Sequence, residues 1–350
     1  IDPAFEGGRV KEAFPAIWAA SEAAVARVVP GLVEVELAAS HAAADVIFRT
    51  LFSIPIEDQV AQAVFDEFRA YQRSAPILNL AAFLPLPRWF PRLHRQATLA
   101  SAKVIRGLIT ELTADRAAAI AAGTAPMDLA TKIMTTPDPV TGAPFGTEEM
   151  VDQVAIFFLA GHETSASALG WALYLLATHP DAQERVAEEA AGLRPEFGTV
   201  GSLRFTRDVF REALRLYPPV PMMVRQNRMA EDFRGRMAKP GAQVVISPWH
   251  LHRHERIWER PDEFDPDRWA TEAAGEASRK GFLPFSRGPR VCPGAGFAML
   301  EGTLMLAHLV RAFRFEALAD RVPVPMAHLT VRAKDGIWLQ VTRREGAGAP

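Results

Sequence analysis

The chain has a single cysteine, Cys292, in a segment punctuated by glycine and proline. Residues 285–294 read FSRGPRVCPG, so that Gly288 permits a turn while Pro289 and Pro293 restrict the backbone on either side of the cysteine. One sulfur excludes an internal disulfide and a zinc site built from several thiolates. What remains is a lone thiol in a constrained loop, where a thiolate could bind a metal.

A helix is predicted directly after this cysteine, because Phe297 and Leu300 begin an apolar repeat of near-helical spacing. Cys292 therefore lies just before a helix N-terminus, where unpaired N–H groups favour an anion. We expect this position, together with Arg287 and Arg290, to lower the pKa of the thiol. A thiolate in an otherwise apolar stretch is a candidate axial ligand to haem iron, and an inert buried cysteine is the alternative.

A long apolar helix is predicted over about residues 148–178, and residues 162–165 interrupt it with polar side chains. Glu163 and Thr164 lie between apolar turns, so at least one should face the interior, where an unpaired carboxylate is costly. Gly161 would let a flat ligand approach the backbone, and the Thr164 hydroxyl can divert a backbone carbonyl. A membrane span and an ordinary solvent-facing position are the alternatives, and a central histidine and glutamate argue against the first.

Two further polar patterns carry little information alone. Glu212 and Arg215 lie one turn apart on a predicted helix, but on a surface such a pair contributes well under about 1 kcal/mol. His250, His252 and His254 alternate as they would on one strand face. No nearby acidic or thiol residue completes a metal site with them, so we expect none.

The elements that must position these residues are predicted to be mainly helices. Residues 9–123 follow helical patterns broken by prolines, which indicates a region of packed helices. A strand is predicted over residues 243–246. Near the end, residues 329–332 and 337–342 flank a Lys-Asp-Gly turn and predict a hairpin. The resulting fold class is mainly α with small β-sheets.

Three of the motifs, in this order along the chain, resemble those of the cytochrome P450 family. Residues 160–165, AGHETS, are similar to the family's oxygen-binding helix motif. Glu212 and Arg215 resemble its Glu-x-x-Arg helix, and residues 264–269 resemble its later Pro-x-Arg segment. Residues 285–294 look like its haem-binding loop. The resemblance implies a cytochrome P450-like fold.

The resemblance implies one haem-thiolate domain over residues 1–350, with a helical region at 1–140 and a haem-binding core at 145–345. Only the core carries the motifs, since the first part matches in general helical character alone. The family has more chain before this point, and residues 1–8 resemble a segment that follows a haem-contacting helix. We therefore expect the fold to be N-terminally truncated, with the N-terminal part absent.

Haem b is the implied cofactor, with Cys292 as the axial ligand to its iron. The resemblance implies that Phe285 lies on the thiolate side and that Arg290 and Arg225 reach the haem propionates. It also implies that three further residues contact the haem, namely Gly294, Ala160 and Gly161.

The resemblance implies that Glu163 and Thr164 form an acid–alcohol pair, which would hold water beside the iron and pass protons to bound dioxygen. It also implies that Glu212, Arg215 and Arg268 form a network supporting the cysteine loop from behind. We expect the substrate pocket to be apolar and partly lined by Ile156, Val220, Met222 and Met223.

The implied function is that of a monooxygenase, which inserts one oxygen atom of O2 into a small apolar organic substrate. Electrons would come from a redox partner of the ferredoxin or flavoprotein type. A basic surface could receive that partner, and a solvated charged face is the alternative reading of the same residues. These residues are Arg279, Lys280, Arg287 and Arg290.

Two other functions remain open at this point. One is a non-oxygenase haem-thiolate enzyme, an isomerase or a peroxygenase, and the other is a non-catalytic haem-binding or partner-binding fragment. The composition, with 49% hydrophobic residues and a net charge of −2, allows a large core and gives no reason to expect nucleic-acid binding. With no signal peptide and no membrane span indicated in this chain, we expect a cytoplasmic protein.

Overall fold

The computed structural model describes residues 9–74, 96–137, 142–143 and 145–345. The segment 1–8, on which the expectation of a missing N-terminal part rests, lies outside these residues. The predicted mainly α fold with small sheets is confirmed. The helices of the described part are α1 (Arg9–Arg27), α2 (Val35–Phe52), α3 (Gln59–Ser74), α4 (Gln96–Ala121), α5 (Leu129–Thr135), α6 (Thr147–Thr178), α7 (Pro180–Ala190), α8 (Arg204–Leu216), α9 (Pro248–Leu251), α10 (Glu272–Gly281) and α11 (Ala295–Ala312).

The strands are short and form small antiparallel sheets. The largest described sheet has the order β1–β9–β6, and the other pairs are β2–β5, β3–β4 and β7–β8. The strands are β1 (Gly31–Glu34), β2 (Met223–Gln226), β3 (Glu231–Phe233), β4 (Arg236–Ala238), β5 (Gln243–Ile246), β6 (Phe313–Ala317), β7 (Pro325–Ala327), β8 (Val331–Ala333) and β9 (Trp338–Arg343).

The predicted hairpin near the C-terminal end is wrong. Gly336 does have a positive φ of 77°, as the turn signal required. However, β8 pairs with β7, while β9 lies between β1 and β6. Leu339 and Val341 of β9 are fully buried, so burying this strand at the centre of the three-stranded sheet takes precedence over pairing it with its neighbour in sequence.

Helix α6 begins and ends close to where the sequence predicted. The N–H of Gly146 donates to the Glu149 carboxylate at 3.0 Å, which stabilises the first turn, and the His179–Pro180 step ends the helix. Its 32 residues would extend for about 48 Å at 1.5 Å per residue. Across the described ranges, no helix combines the length with the apolar character that a membrane span requires.

The second half of α6 is anchored in the main hydrophobic core. The Trp171 ring is fully buried and stacks on Tyr217 with a centroid distance of 3.9 Å. The Ser167 hydroxyl and the Trp171 indole N–H both donate to the carbonyl of Val331, at 2.6 and 3.1 Å. These bonds hold strand β8 against α6, so residues that lie 160 and 164 positions apart in sequence become neighbours.

Candidate functional site

The cysteine loop joins α10 to α11, as the sequence predicted. The N–H of Cys292 donates to the carbonyl of Phe285 at 2.8 Å, and the Phe285 ring packs against the main core. Ser286 and Gly288 have φ values of 61° and 72°, so the loop makes tight turns in the left-handed region. The Cys292 side chain reaches the surface. The loop therefore presents its sulfur outward from a closed turn.

The expected lowering of the Cys292 pKa is not found. Desolvation by the surrounding protein raises the pKa of the thiol, and a hydrogen bond from the Gly294 backbone only partly opposes this. Arg287 donates instead to the carbonyls of Ser278 and Arg279, at 3.0 and 2.6 Å. Its charge is therefore used to hold the end of α10. A bound metal ion would deprotonate such a thiol directly.

One face of α6 is apolar and open. Ile156, Ala160 and Thr164 follow each other at four-residue intervals, and the Ile156 side chain is 58% exposed. Thr164 is half-buried, and its hydroxyl donates to the carbonyl of Ala160 at 2.7 Å, as the sequence suggested. An open apolar face on a helix that is otherwise central to the core is typical of a binding surface.

The open face of α6 is tied to the helix that follows the cysteine. Ser165, next to Thr164, donates from its hydroxyl to a carboxyl oxygen of Glu301 on α11 at 2.7 Å. The Phe297 ring of α11 also packs against two hydrophobic clusters, one containing the first half of α6 and the other its second half. The structure therefore brings together the Thr164 and Cys292 regions, although they are far apart in sequence.

The residues around this region fit a flat apolar group with acidic substituents. Val291 beside the cysteine and Met222 and Val224 are exposed apolar residues, and burying them under a ligand would be favourable. Arg225 on β2 reaches the cysteine loop, where its guanidinium donates to the Ser286 hydroxyl at 2.9 Å. Arg290 is exposed in the same loop. The two arginines are suited to carboxylate recognition.

The space at Gly161 is used for helix packing, and the expected contact of this residue with the haem stays a prediction. A Cβ built at Gly161 would lie 2.5 Å from the Cδ1 atom of Ile47 on α2. The missing side chain is therefore needed for the close approach of α2 to α6. Ala160 is exposed on the open face of α6, and its expected contact with the haem also stays a prediction.

Glu163 and Thr164 point to different surroundings. The Glu163 side chain is buried, and its Oε1 accepts hydrogen bonds from the Thr330 hydroxyl at 3.0 Å and from Nε of Arg332 at 2.9 Å. The sequence predicted a buried carboxylate that needs a partner, but not which residue the partner is. Arg332 is 169 residues away and reaches Glu163 because β8 is bonded to α6.

The structure brings Glu212, Arg215 and Arg268 together in a buried cluster. Arg215 forms two hydrogen bonds with the Glu212 carboxylate, at 2.8 and 3.0 Å, and Arg268 donates to the same carboxylate at 2.9 Å. The Trp269 indole and the Asp265 backbone N–H also donate to it. The charge on Glu212 is therefore fully hydrogen-bonded in a site without solvent.

His252 forms structural contacts that the sequence argument missed. The three histidines do not share a strand, since His250 lies on the short helix α9 and His252 follows it. His252 Nδ1 bonds to the Arg215 carbonyl at 3.1 Å, and its Nε2 accepts from the Leu283 N–H at 2.8 Å. Burial lowers the pKa of His252 to about 3, so the ring is neutral. It connects the Glu212 cluster to the start of the cysteine loop.

No metal site was expected at these histidines. In the described part of the chain, no group of three or more His, Cys, Asp or Glu side chains is arranged to hold a metal ion.

The basic residues near the cysteine loop are exposed, and Lys280 is paired with Glu276 at 2.6 Å. Of the expected pocket residues, Ile156 and Met222 are exposed, whereas Val220 and Met223 are half-buried near Arg225.

The sequence profile of the family described as cytochrome P450 matches residues 26–340. Cyclooctatin synthase of Streptomyces melanosporofaciens is 38% identical over 210 residues, which cover 59% of this chain and 46% of that protein. Cyclooctat-9-en-7-ol 5-monooxygenase of the same organism is 32% identical over 290 residues, covering 79% of this chain and 59% of that protein.

A mammalian protein and a solved structure are also similar to this chain. Cytochrome P450 4A10 of Mus musculus is 38% identical over 58% of this chain and 40% of its own length. The chain thus spans less than half the length of the first curated relatives that it matches. The crystal structure of a cytochrome P450DA mutant heme domain matches with a TM-score of 0.84 and 25% identity, over 98% of this chain and 76% of that chain.

Proposed function

The chain belongs to the cytochrome P450 family, and we propose that it acts as a haem-thiolate monooxygenase on a small apolar substrate. The observation that carries this proposal is the exposed sulfur of Cys292 on a closed turn, linked through Ser165 and Glu301 to the open apolar face of α6. Haem is the cofactor of this family, and we propose that this chain uses haem b.

Cys292 would supply the axial sulfur ligand, and Phe285 would cover the thiolate side. Arg225 and Arg290 would bind the two propionates, since both lie in or against the cysteine loop and carry fork-shaped donors. Ala160 and Gly294 would lie against the ring faces. When bound, the haem supplies the redox chemistry that activates dioxygen.

The residues on α6 would control protons and water. The Thr164 hydroxyl now donates to the Ala160 carbonyl, and a rotation about its Cα–Cβ bond would direct it to the open face of the helix. Glu163 would receive protons on the buried side of α6 and exchange them with Thr164 through water. Arg332 and Thr330 hold one Glu163 oxygen, which leaves the other for this exchange.

The Glu212 cluster would keep the loop in place during catalysis. It holds the Glu212, Arg215 and Arg268 side chains in one geometry, and His252 connects this cluster to Leu283 by a hydrogen bond.

The proposed substrate site is apolar, and methionine allows a wall of adaptable shape. Its proposed lining residues are Ile156, Val220, Met222 and Met223. Arg279, Lys280, Arg287 and Arg290 are proposed to face an acidic ferredoxin or flavoprotein donor.

The test is a comparison of the wild-type chain with Cys292→Ala after haem reconstitution. We expect the reduced wild-type protein to show thiolate-type absorption with carbon monoxide, and the variant to lose this absorption. Cys292→Ser is the matched control, because it keeps the size of the side chain but replaces the sulfur. A wild-type spectrum of the histidine-ligated type would overturn the ligand assignment.

Product analysis separates the monooxygenase from its alternatives. Apolar compounds are first screened by the change in iron spin state on binding. We expect hydroxylated product only when an electron donor and O2 are both present. Product formed without an electron donor would indicate an isomerase or, with added peroxide, a peroxygenase. Wild-type protein that binds no haem in a titration would indicate a non-catalytic fragment.

A further inference from the structure

A cluster of buried polar atoms surrounds Glu163 of α6. Within the described residues, Glu36 Oε1 of α2, Gln72 Nε2 of α3 and Glu163 Oε2 of α6 are buried without a hydrogen-bond partner. Buried polar groups are nearly always paired, and those that lack a protein partner are commonly satisfied by ordered water. Three such atoms near one arginine, Arg332, are therefore suited to hydrogen bonding with ordered water.

Arg332 connects the members of this cluster. Its Nε donates to Glu163 Oε1 at 2.9 Å, and one terminal nitrogen donates to Gln72 Oε1 at 3.1 Å. Its charge also acts on Glu36, whose carboxylate accepts from the backbone N–H of Ala333. The Arg332 side chain is 28% exposed, so the cluster has a route to solvent along this arginine.

We propose that Glu36 is a positioning residue that supplies protons to Glu163 through water held in this cluster. The proposal rests on the proposed monooxygenase function, which requires protons at Thr164. In the transfer, the Glu36 carboxyl releases a proton from Oε1 to water, and that water passes a proton to Glu163 Oε2. The resulting Glu36 carboxylate then takes a proton from solvent along Arg332. Glu163 in turn releases a proton through water to the Thr164 side, so each carboxyl gains and loses one proton per transfer.

The charges around Glu36 suit this role. Desolvation is the main cause that raises its pKa to about 7; Arg332 opposes this rise, and the nearby Glu34 and Glu163 carboxylates add to it. A group with a pKa near the operating pH both gives and accepts protons readily.

The neighbouring histidine on α6 does not compete with Glu36. Burial lowers the pKa of His162 to about 3, and its Nε2 pairs with the Ser40 hydroxyl at 2.8 Å. His162 is therefore neutral throughout the range in which Glu36 titrates. Arg69 of α3 also acts on both Glu34 and His162.

The first experiment is an infrared titration of the folded protein without reductant or substrate. We expect a protonated-carboxyl component that disappears with a midpoint near pH 7, is absent in Glu36→Gln, and is unchanged in Glu22→Gln, whose carboxyl is exposed on α1. The buried Glu301 carboxyl, with a pKa of about 8, gives a separate component that Glu36→Gln retains and Glu301→Gln removes. Arg332→Gln should move the midpoint to higher pH, because Arg332 lowers the pKa of Glu36. A component with a midpoint near pH 7 that persists unchanged in Glu36→Gln, and also in Glu301→Gln, would overturn the assignment.

The second experiment measures product formed per electron consumed as a function of pH. In the wild type, we expect this ratio to fall as pH rises through the Glu36 titration, whereas in Glu36→Gln it should be low and independent of pH in this range. Profiles that are identical in the two proteins would exclude Glu36 from proton delivery. If the wild type makes no product at all, the proposed function fails, while the infrared titration still tests the protonation of Glu36 independently.

Discussion

Ser165 and Glu301 form a buried hydrogen bond of 2.7 Å between the helix that carries Thr164 and the helix that follows Cys292. Complete burial raises the pKa of Glu301 to about 8, and the bond from Ser165 only partly offsets this. The contact at neutral pH is therefore between a hydroxyl and a neutral carboxylic acid. It joins the two sides of the proposed haem site without placing a charge between them.

Glu301→Gln should remove a pH dependence of stability while preserving the fold, because the amide is a neutral substitute for the acid. The folded pKa of about 8 lies above the usual value of 4.5. The Glu301 contribution to the free energy of unfolding is thus complete below pH 4.5 and is lost as pH rises through 8. Between pH 4.5 and 8, the free energy of unfolding should therefore fall by about 1.4 kcal/mol per pH unit. Denaturant unfolding from pH 4 to 9 measures it, with Glu111→Gln as an exposed control.

Arg268→Ala should strongly destabilise the protein. The substitution removes one of the two guanidinium groups bonded to the buried Glu212 carboxylate, which leaves part of its charge uncompensated. Breaking a buried ion pair in this way costs about 3–5 kcal/mol. The control is Lys280→Ala, whose exposed pair with Glu276 should contribute less than about 1 kcal/mol. Urea unfolding measures the free energy of unfolding of both variants. An equal decrease in the two would show that the buried Glu212 ion pairs contribute no more than the exposed pair.

Thr164→Ala should separate electron consumption from product formation. Without the hydroxyl, water on the open face of α6 loses its hydrogen-bonding partner, so we expect continued consumption of reductant with release of peroxide. Thr164→Ser keeps the hydroxyl and should retain most of the product yield. Peroxide and product are measured in the same reaction. Unchanged yield in Thr164→Ala would remove this residue from proton delivery.

Gly302→Ala should disrupt the packing of α11 against α8. A Cβ at this position would overlap the Phe210 ring, which is itself buried, so the helices must move apart. Overpacking of this kind costs about 1–3 kcal/mol. A Cβ at Gly107 on α4 would meet no atom within 4 Å, so Gly107→Ala should stabilise by about 0.5–1 kcal/mol. Thermal unfolding of both variants would show opposite shifts.

The most local features were predictable from the sequence. The loop around Cys292, the start of α11 and the limits of α6 are each encoded by adjacent residues, since glycine, proline and apolar spacing act on their own stretch of chain. The residue types of the proposed site were also recognisable, because Cys292, Glu163 and Thr164 stand in distinctive surroundings. Cofactor and family followed from these motifs.

The partners of these residues were decided only by the tertiary structure. Glu163 meets Arg332, and Ser165 meets Glu301, across separations of 169 and 136 residues. The pairing of β9 was also decided by the tertiary structure, because β9 does not pair with β8, its neighbour in sequence, but lies between β1 and β6. Such contacts depend on which apolar surfaces are buried together, and this burial is a property of the whole chain and not of a local stretch of sequence.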